Sequence, residues 1–498
     1  MKSVLIYTLC LILLNTVKTM LVSDSKAQIN EFLKSGAMKG YHTHDEFWAW
    51  FDGLHEDEAN RPFLSSKQEY GRTYKNRKAN CYFITDNIEE LDQMLQDKNI
   101  ILITGLHHAR EPLTVTMVML ITIKVLQGMR DQNHNQVKEL LRDNVIAFIP
   151  MVNPDSYIFI NEKYLSGEDD EDVMMIRKNR HIDPSCDIYT GGVDINRNYG
   201  FMWGIDNHGS SDSPCEEDYR GEYAFSEPET NSIKNFVEKN KNIVSGINIH
   251  SYGNLWIYPF SYIEDKKDKE LKQKRPLFYD FYNEFVDEMK SKGKNFKAFY
   301  GNAVLALDYT SNGEAGDWLT GAKNILNFDV ELGSLDKQSD KFYPPQRIID
   351  KIVNYNWIVM DQFLNRHIIS LSLKRIVRIR DKPFLKFYIF NNSISSLMSF
   401  EGSVSLIFTE NYQSGTALLK YGFKDAIKGN DNILNMTGNE MAGTLKGRHI
   451  LVLRIEFAKQ EDLNNFSGLS LEIRRNEKDY LGYPHQIYIF QKKKRGWV

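Results

Sequence analysis

Ile100-Ile101-Leu102-Ile103-Thr104-Gly105-Leu106-His107-His108-Ala109-Arg110-Glu111-Pro112 begins as an apolar run and ends in a glycine, two histidines, an arginine and a glutamate. The run Ile100–Thr104 has the length and β-branched content of a buried strand. Pro112 opens a stretch with apolar residues at Leu113, Met117, Leu120, Ile121 and Val125, a helical period with proline in its first turn. Val145–Ile149, Ile243–Ile249 and Ile325–Val330 are further apolar runs separated by helical stretches. From about 99 to 335 uninterrupted apolar strands alternate with helices, which predicts an α/β fold with a mixed, mostly parallel sheet and helices on both faces, within a domain set at 41–370.

Beyond residue 370 the texture changes. Leu371–Val377, Phe384–Phe390, Ser403–Phe408, Thr416–Tyr421, His449–Phe457, Leu469–Ile473 and Gln486–Phe490 are short β-type runs broken by Asn, Gly and Ser. That spacing predicts a smaller all-β sandwich domain over 371–498. Asn391-Asn392-Ser393, Asn435-Met436-Thr437 and Asn465-Phe466-Ser467 are candidate glycan sites within it. They make that region a candidate surface for glycan or partner contacts. The run Lys492-Lys493-Lys494-Arg495 reads as a solvated tail, and Gly167–Asp172 as a solvated acidic loop.

A chain of 498 residues exceeds what one hydrophobic core serves. With 42% hydrophobic and 26% charged residues it is ordinary for a globular protein, and a net charge of −4 offers no electrostatic reason to expect nucleic acid. Residues 1–20 read as a signal peptide, with Lys2 before the apolar core Val4–Leu14, and 21–40 is too short for a folded prodomain. No later stretch approaches the roughly 18 apolar residues of a membrane span, so no stable span is expected. The chain is expected in a secreted or lumenal (extracellular, vacuolar or lysosome-like) compartment. Cys10 would leave with the signal; Cys186 and Cys215, both in turn-rich sequence, are then the better disulfide pair, and Cys81 in an apolar run reads as a buried thiol.

Ligand sites of open parallel sheets lie beyond the carboxyl ends of strands, where His108 and Glu111 stand. A His and a Glu three apart across a strand-to-helix turn can face one metal ion. His250, at the end of Ile247-Asn248-Ile249, supplies a third ligand. Two imidazoles, a carboxylate and an open position compose a catalytic zinc site, although the same set can hold Fe(II) in a non-haem oxygenase. His107 should point away from His108 if strand geometry persists. His42, His44, His55 and His134 have no partners at informative spacing.

Other segments add to these ligands. Gly192-Val193-Asp194-Ile195-Asn196-Arg197-Asn198-Tyr199 sets an amide beside a guanidinium suited to gripping a carboxylate. Asn327-Phe328-Asp329-Val330-Glu331 puts a carboxylate at the end of a buried strand, where a purposeless charge is costly. Over roughly residues 41–365 the chain resembles the zinc carboxypeptidases of the pancreatic carboxypeptidase A type. His108-Ala109-Arg110-Glu111 and His250-Ser251-Tyr252 match that family's zinc-ligand motifs. Gly192–Tyr199 matches its substrate-carboxylate motif, and Phe328–Leu332 the segment of its catalytic glutamate. The resemblance implies one Zn2+ per chain on His108, Glu111 and His250, with Glu331 as general base and Arg177 as oxyanion stabiliser. It implies that Asn196, Arg197 and Tyr309 hold the carboxylate of a peptide or protein C-terminus, with Arg110 and Tyr252 lining the substrate path. It also supports the Cys186–Cys215 pair.

The sequence departs from familiar members in the pocket for the last side chain. Gly316 stands where the pancreatic enzymes carry an apolar residue or Asp, Asp329 replaces a small polar residue, and Glu314 is nearby. Either acid could favour terminal Lys or Arg; alternatively, Asp329 pairs with a basic side chain or accepts backbone N–H bonds. Two competing readings are the iron oxygenase, which the Asn196-Arg197 and Glu331 segments count against, and a catalytically silent peptide-binding protein. The silent protein would be expected to have lost a ligand or the glutamate, and this chain has neither loss.

Overall fold

The computed structural model describes residues 25–131, 135–264, 267–293, 298–333, 342–378, 384–391, 393–395, 397–408, 417–424, 431–435, 440–445, 450–457, 466–475, 486–493 and 496–497. The expected signal peptide and His134 lie outside them. By its contacts the chain divides into two compact units, one ending at Gln362 and the other comprising Asp97–Asn99, Glu139–Asn144 and the chain from Phe363.

The first unit is built on eight strands: β1 (Gln68–Arg72), β2 (Lys78–Ile84), β3 (Asn99–Thr104), β4 (Asn144–Ile149), β5 (Ile243–Ser251), β6 (Leu255–Tyr258), β7 (Phe299–Asn302) and β8 (Leu326–Leu332). Their order is β1-β2-β4-β3-β5-β8-β6-β7. The central β3, β5 and β8 run parallel, as do β6 and β7. By contrast β1–β2, β2–β4 and β6–β8 are antiparallel, while the carboxyl ends of β3 and β4 lie side by side, Gly105 N donating to Ile149 O at 3.0 Å, so the sheet is mixed. The sequence reading missed β1 because Gln68–Arg72 is polar and largely exposed, with no apolar run to mark it.

Every residue of β3 and β4 is buried, which is why both read as unbroken apolar runs. Ile100 and Leu102 join a core cluster with Ile149, Ile233, Phe236 and Trp318, while the equally buried Ile101 and Ile103 alternate to the opposite face. The helix Leu113–Arg130 is long and apolar enough to cross a membrane, but 83% of it is buried in this unit, as befits a core helix.

In the second unit the described residues form β9 (Leu371–Arg378), β10 (Phe384–Asn391), β11 (Leu397–Phe408), β12 (Ala417–Lys424), β13 (Asp431–Asn435), β14 (Glu440–Leu445), β15 (Ile450–Phe457), β16 (Phe466–Arg475), β17 (Gln486–Lys493) and β18 (Gly496–Trp497). They make two sheets, β13-β12-β15-β10-β9 and β14-β11-β16-β17-β18. Buried Phe387 and Ile389, and Leu451, Leu453 and Ile455, follow the two-residue period of strands with one inner face. Two sequence expectations change here. The backbone of Lys492 and Lys493 pairs with Trp497 and Gly496, so this part of the basic run is strand and not a loose tail. Asn391 is fully buried, its amide donating to Ser395 O at 3.1 Å, so it presents no free nitrogen to a glycan.

Candidate active site

The chain leaves β3 at Thr104 and turns sharply. Leu106 takes a left-handed φ of 55°, uncommon for a branched residue. Its N–H donates to Thr114 Oγ1 at 3.0 Å and its carbonyl accepts from Asn153 N at 3.0 Å. This turn carries His108 and Glu111 over the end of the sheet, where β5 delivers His250. One ligand atom from each of the three lies within 4.8 Å of the others. His108 Nδ1 stands 2.7 Å from Glu111 Oε1, and His250 Nδ1 3.2 Å from Oε2. Strand alternation no longer governs His107. Its ring also approaches His250, at 5.2 Å between centroids, and its Nε2 lies 3.1 Å from the Tyr199 hydroxyl.

The donor set fits zinc. Burial works against the charge of Glu111, but the two imidazoles outweigh it and hold the carboxyl well below its usual range. Burial lowers His250, with the Glu111 hydrogen bond pulling the other way. An ionised carboxylate beside a neutral imidazole is the metal-binding form.

Asp194 ties this cluster to its neighbours. Fully buried, it places Oδ1 3.3 Å from His108 Nε2 and accepts the Asn196 N–H on the same oxygen at 2.9 Å. Arg177 donates from Nε and Nη2 to Oδ2 at 2.9 and 2.7 Å, leaving Nη1 3.2 Å from His108 Nδ1. Burial pushes the Asp194 carboxyl up, yet Arg177 and His108 hold it well below the ordinary value. The sequence reading assigned Asp194 no role. Its signal was a carboxylate between two apolar residues, Val193 and Ile195.

Parallel pairing sets His250 directly opposite Glu331, and Asn248 opposite Asp329. Since residues two apart share a face, all four side chains serve the same side of the sheet. Glu331 is half-buried; burial, then Glu111, raises its pKa well above normal, with Arg177 opposing. Among the described residues Asp329 forms no ion pair with a basic side chain and accepts no backbone N–H. Its Oδ1 accepts from the amides of Asn248 at 2.7 Å and Asn327 at 3.2 Å, and Oδ2 is buried without a partner. Burial and Glu314 push it up to about 7. A Cβ at Gly316 would stand 2.1 Å from Asp329 Oδ2, so the acid fills the space that a side chain at 316 would need.

Asn196 and Arg197 are buried beside the cluster. Asn196 Oδ1 accepts the Ala315 N–H at 3.0 Å, and Arg197 Nη1 donates to Glu314 Oε1 at 3.0 Å. Tyr309 and Tyr252 are exposed, at 52% and 44%, and neither side chain joins the buried network. Arg110 lies farther out, paired with Glu217 and stacked 4.2 Å over Phe342, whose ring meets Tyr252 edge-on. Cys186 and Cys215 are bonded, with Cα atoms 5.3 Å apart. Lys178 Nζ donates to Pro214 O and Glu216 O, which anchors the segment after Arg177 to that loop. Cys81 is free and buried, its thiol pushed up by burial to about 12 and so unreactive.

An α/β sheet with two imidazoles and a carboxylate at its carboxyl end, a buried arginine beside them and a strand-end glutamate opposite one histidine defines a zinc hydrolase. The zinc carboxypeptidase family model matches residues 49–359. Carboxypeptidase B of Astacus astacus is 32% identical over 229 residues, covering 46% of this chain and 67% of that one. Carboxypeptidase A1 of Mus musculus is 30% identical over 322 residues, covering 63% and 68%. The crystal structure of thrombin activatable fibrinolysis inhibitor shares the fold, with a TM-score of 0.54 and 23% identity over 71% of this chain and 80% of that one. The chain belongs to the zinc carboxypeptidase family and is a zinc metallocarboxypeptidase, which leaves the iron-oxygenase reading without support.

Proposed function

We propose that the enzyme removes the last residue from peptides and proteins, with zinc on His108, Glu111 and His250 and with Glu331 as general base. The observation that carries this reading is Glu331 in register opposite His250, half-buried at the strand end beside the ligand cluster. Bound there, zinc supplies a water acidified to neutral pH and a Lewis acid for the scissile carbonyl. Glu331 takes a proton from the attacking water and returns it to the leaving amine; its raised pKa suits both transfers. Arg177, fixed by Asp194, presents Nη1 for the oxyanion. Asn196, Arg197 and the exposed Tyr309 receive the terminal carboxylate, which confines cleavage to the last bond. Arg110 and Tyr252 line the path of the preceding residues.

One of the two acids of this pocket, Asp329 against Gly316 or the neighbouring Glu314, favours Lys or Arg as the last residue. Residues 1–20 direct the chain to a secreted or lumenal compartment, as Lys2 and the apolar Val4–Leu14 support. The region 41–370 is the catalytic domain, and 371–498 forms a β-sandwich domain. Purified protein, assayed on peptides differing only in the last residue with and without a chelator, tests the central reading. Hydrolysis at the last bond, one zinc per chain, and loss of both on chelation are expected; zinc-independent cleavage or internal cuts would refute it.

A further inference from the structure

We infer that Glu314 is an internal counter-ion to Arg197 that an arriving peptide terminus must displace, and that this exchange makes the pocket select a cationic last residue. The inference rests on the reading of Arg197 as the anchor for the terminal carboxylate. Glu314 occupies the N-cap position of the helix Ala315–Lys323, where a short polar side chain ordinarily accepts from the helix. It makes no such bond. Asn196 Oδ1 takes the Ala315 N–H, and the Glu314 carboxylate turns instead to Arg197 Nη1 at 3.0 Å and to the Ser311 hydroxyl at 2.6 Å. The two side chains are only 8% and 12% exposed, so the pair lies in a poorly screened place. Arg197 Nε remains buried without a partner, a donor still to be used.

In the free enzyme one guanidinium therefore answers one carboxylate. A peptide terminus brings a second carboxylate to the same guanidinium. The surroundings already disfavour more negative charge. Asp317, fully buried in the first turn of the same helix, is pushed well up by burial and by Glu314, as Asp329 is. A displaced carboxylate left buried without a counter-charge is costly. A last residue ending in an ammonium or guanidinium group carries the missing cation into the pocket with the anion, whereas an apolar one does not. Glu314 and Asp329 are close enough for the charge of Glu314 to act on Asp329, and no side chain at Gly316 stands against the Asp329 carboxylate.

Free lysine and norleucine share carboxylate and chain and differ in the terminal ammonium, so calorimetry with both on the zinc-loaded full chain isolates this charge balance. Wild type should bind lysine at least about tenfold tighter than norleucine. Glu314→Gln keeps size and the Ser311 contact; it should bind norleucine about tenfold tighter than wild type and bring the two ligands within about threefold. Peptides ending in norleucine should show the gain in KM, with kcat little changed. Equal affinities in wild type, an unchanged ratio in a Glu314→Gln protein of wild-type melting temperature, or a change in kcat alone would each overturn the inference. Should that variant not fold, Asp329→Asn decides: a lysine preference that survives supports Glu314, and one that vanishes removes it. Failure of wild type to hydrolyse any peptide would strike the reading of the active site, while the binding ratios judge Glu314 independently.

Discussion

Arg177 donates through both Nε and Nη2 to one oxygen of Asp194, at 2.9 and 2.7 Å, and the same carboxylate reaches His108 through its other oxygen at 3.3 Å. One buried acid thereby fixes a proposed zinc ligand and the guanidinium proposed to meet the oxyanion. Replacing Arg177 by Ala should lower kcat by about 10²–10³ with a smaller change in KM. It should also destabilise the fold by about 3–5 kcal/mol, because Asp194 is left buried and unpaired. Adding Asp194→Asn should recover part of the stability and none of the rate. Steady-state kinetics and urea unfolding measure both, and a full recovery of kcat would contradict the role of Arg177.

Glu331→Gln should retain one zinc per chain and reduce kcat by about 10²–10⁴. Metal content separates this from loss of the site, since Glu331 contributes none of the three clustered ligand atoms. Near-normal turnover with zinc bound would exclude Glu331 as the base.

At Gly316 even a methyl group meets Asp329 Oδ2, at 2.1 Å. Gly316→Ala should cost about 1–3 kcal/mol by overpacking. In a double-mutant cycle with Asp329→Ala the two costs should not add, because the second change removes the obstructing carboxylate. Additive losses would mean that the 316 backbone moves away instead.

Glu229 is buried and accepts the Tyr74 N–H at 2.9 Å, and burial raises its pKa to about 7. The unfolded group titrates near 4.3. Between those values the folded state holds more protons than the unfolded state, so this group makes stability fall as pH rises from about 4.3 to 7. Glu229→Gln should flatten that decline, as pH-dependent denaturation would show. A decline of wild-type size in the variant would assign it elsewhere.

The Cys186–Cys215 bond closes a loop of 29 residues, and Cys186→Ser with Cys215→Ser should cost about 3–4 kcal/mol in the chain-entropy picture. Denaturant unfolding of the double variant tests it. Loss of Arg177-dependent rate as well would reveal that the Lys178 anchor to Pro214 and Glu216 depends on the bond.

Much of the proposed site was readable along the chain because its residues sit at local landmarks. His108 and Glu111 flank a strand-to-helix turn, and His250 and Glu331 end apolar strands, so spacing and burial marked each one. The central strands were readable for the same reason. Their residues are buried on both faces, and the apolar runs are continuous. Polar strands such as Gln68–Arg72 and Asp431–Asn435 carried no comparable signal. Asp194 escaped assignment and the partner of Glu314 went unread, since a carboxylate takes its meaning from its partner, and Glu314 meets Arg197 across 117 positions of sequence.

The central apolar strands, the candidate ligand trio, the arginine–amide pair and the better disulfide pair were legible in the sequence by itself, because each depends on residue type at short range or at the end of a legible element. Only the tertiary structure decided which side chains share charge. Parallel register set Asp329 beside Asn248 and Glu331 opposite His250. The turn at Leu106 brought His107 to the cluster's side rather than away from it. The packing of the helix Ala315–Lys323 against Asn196 turned Glu314 toward Arg197. Such pairings depend on distances of a few ångströms between segments far apart in the chain, and ionic interactions in a buried site change steeply over that range.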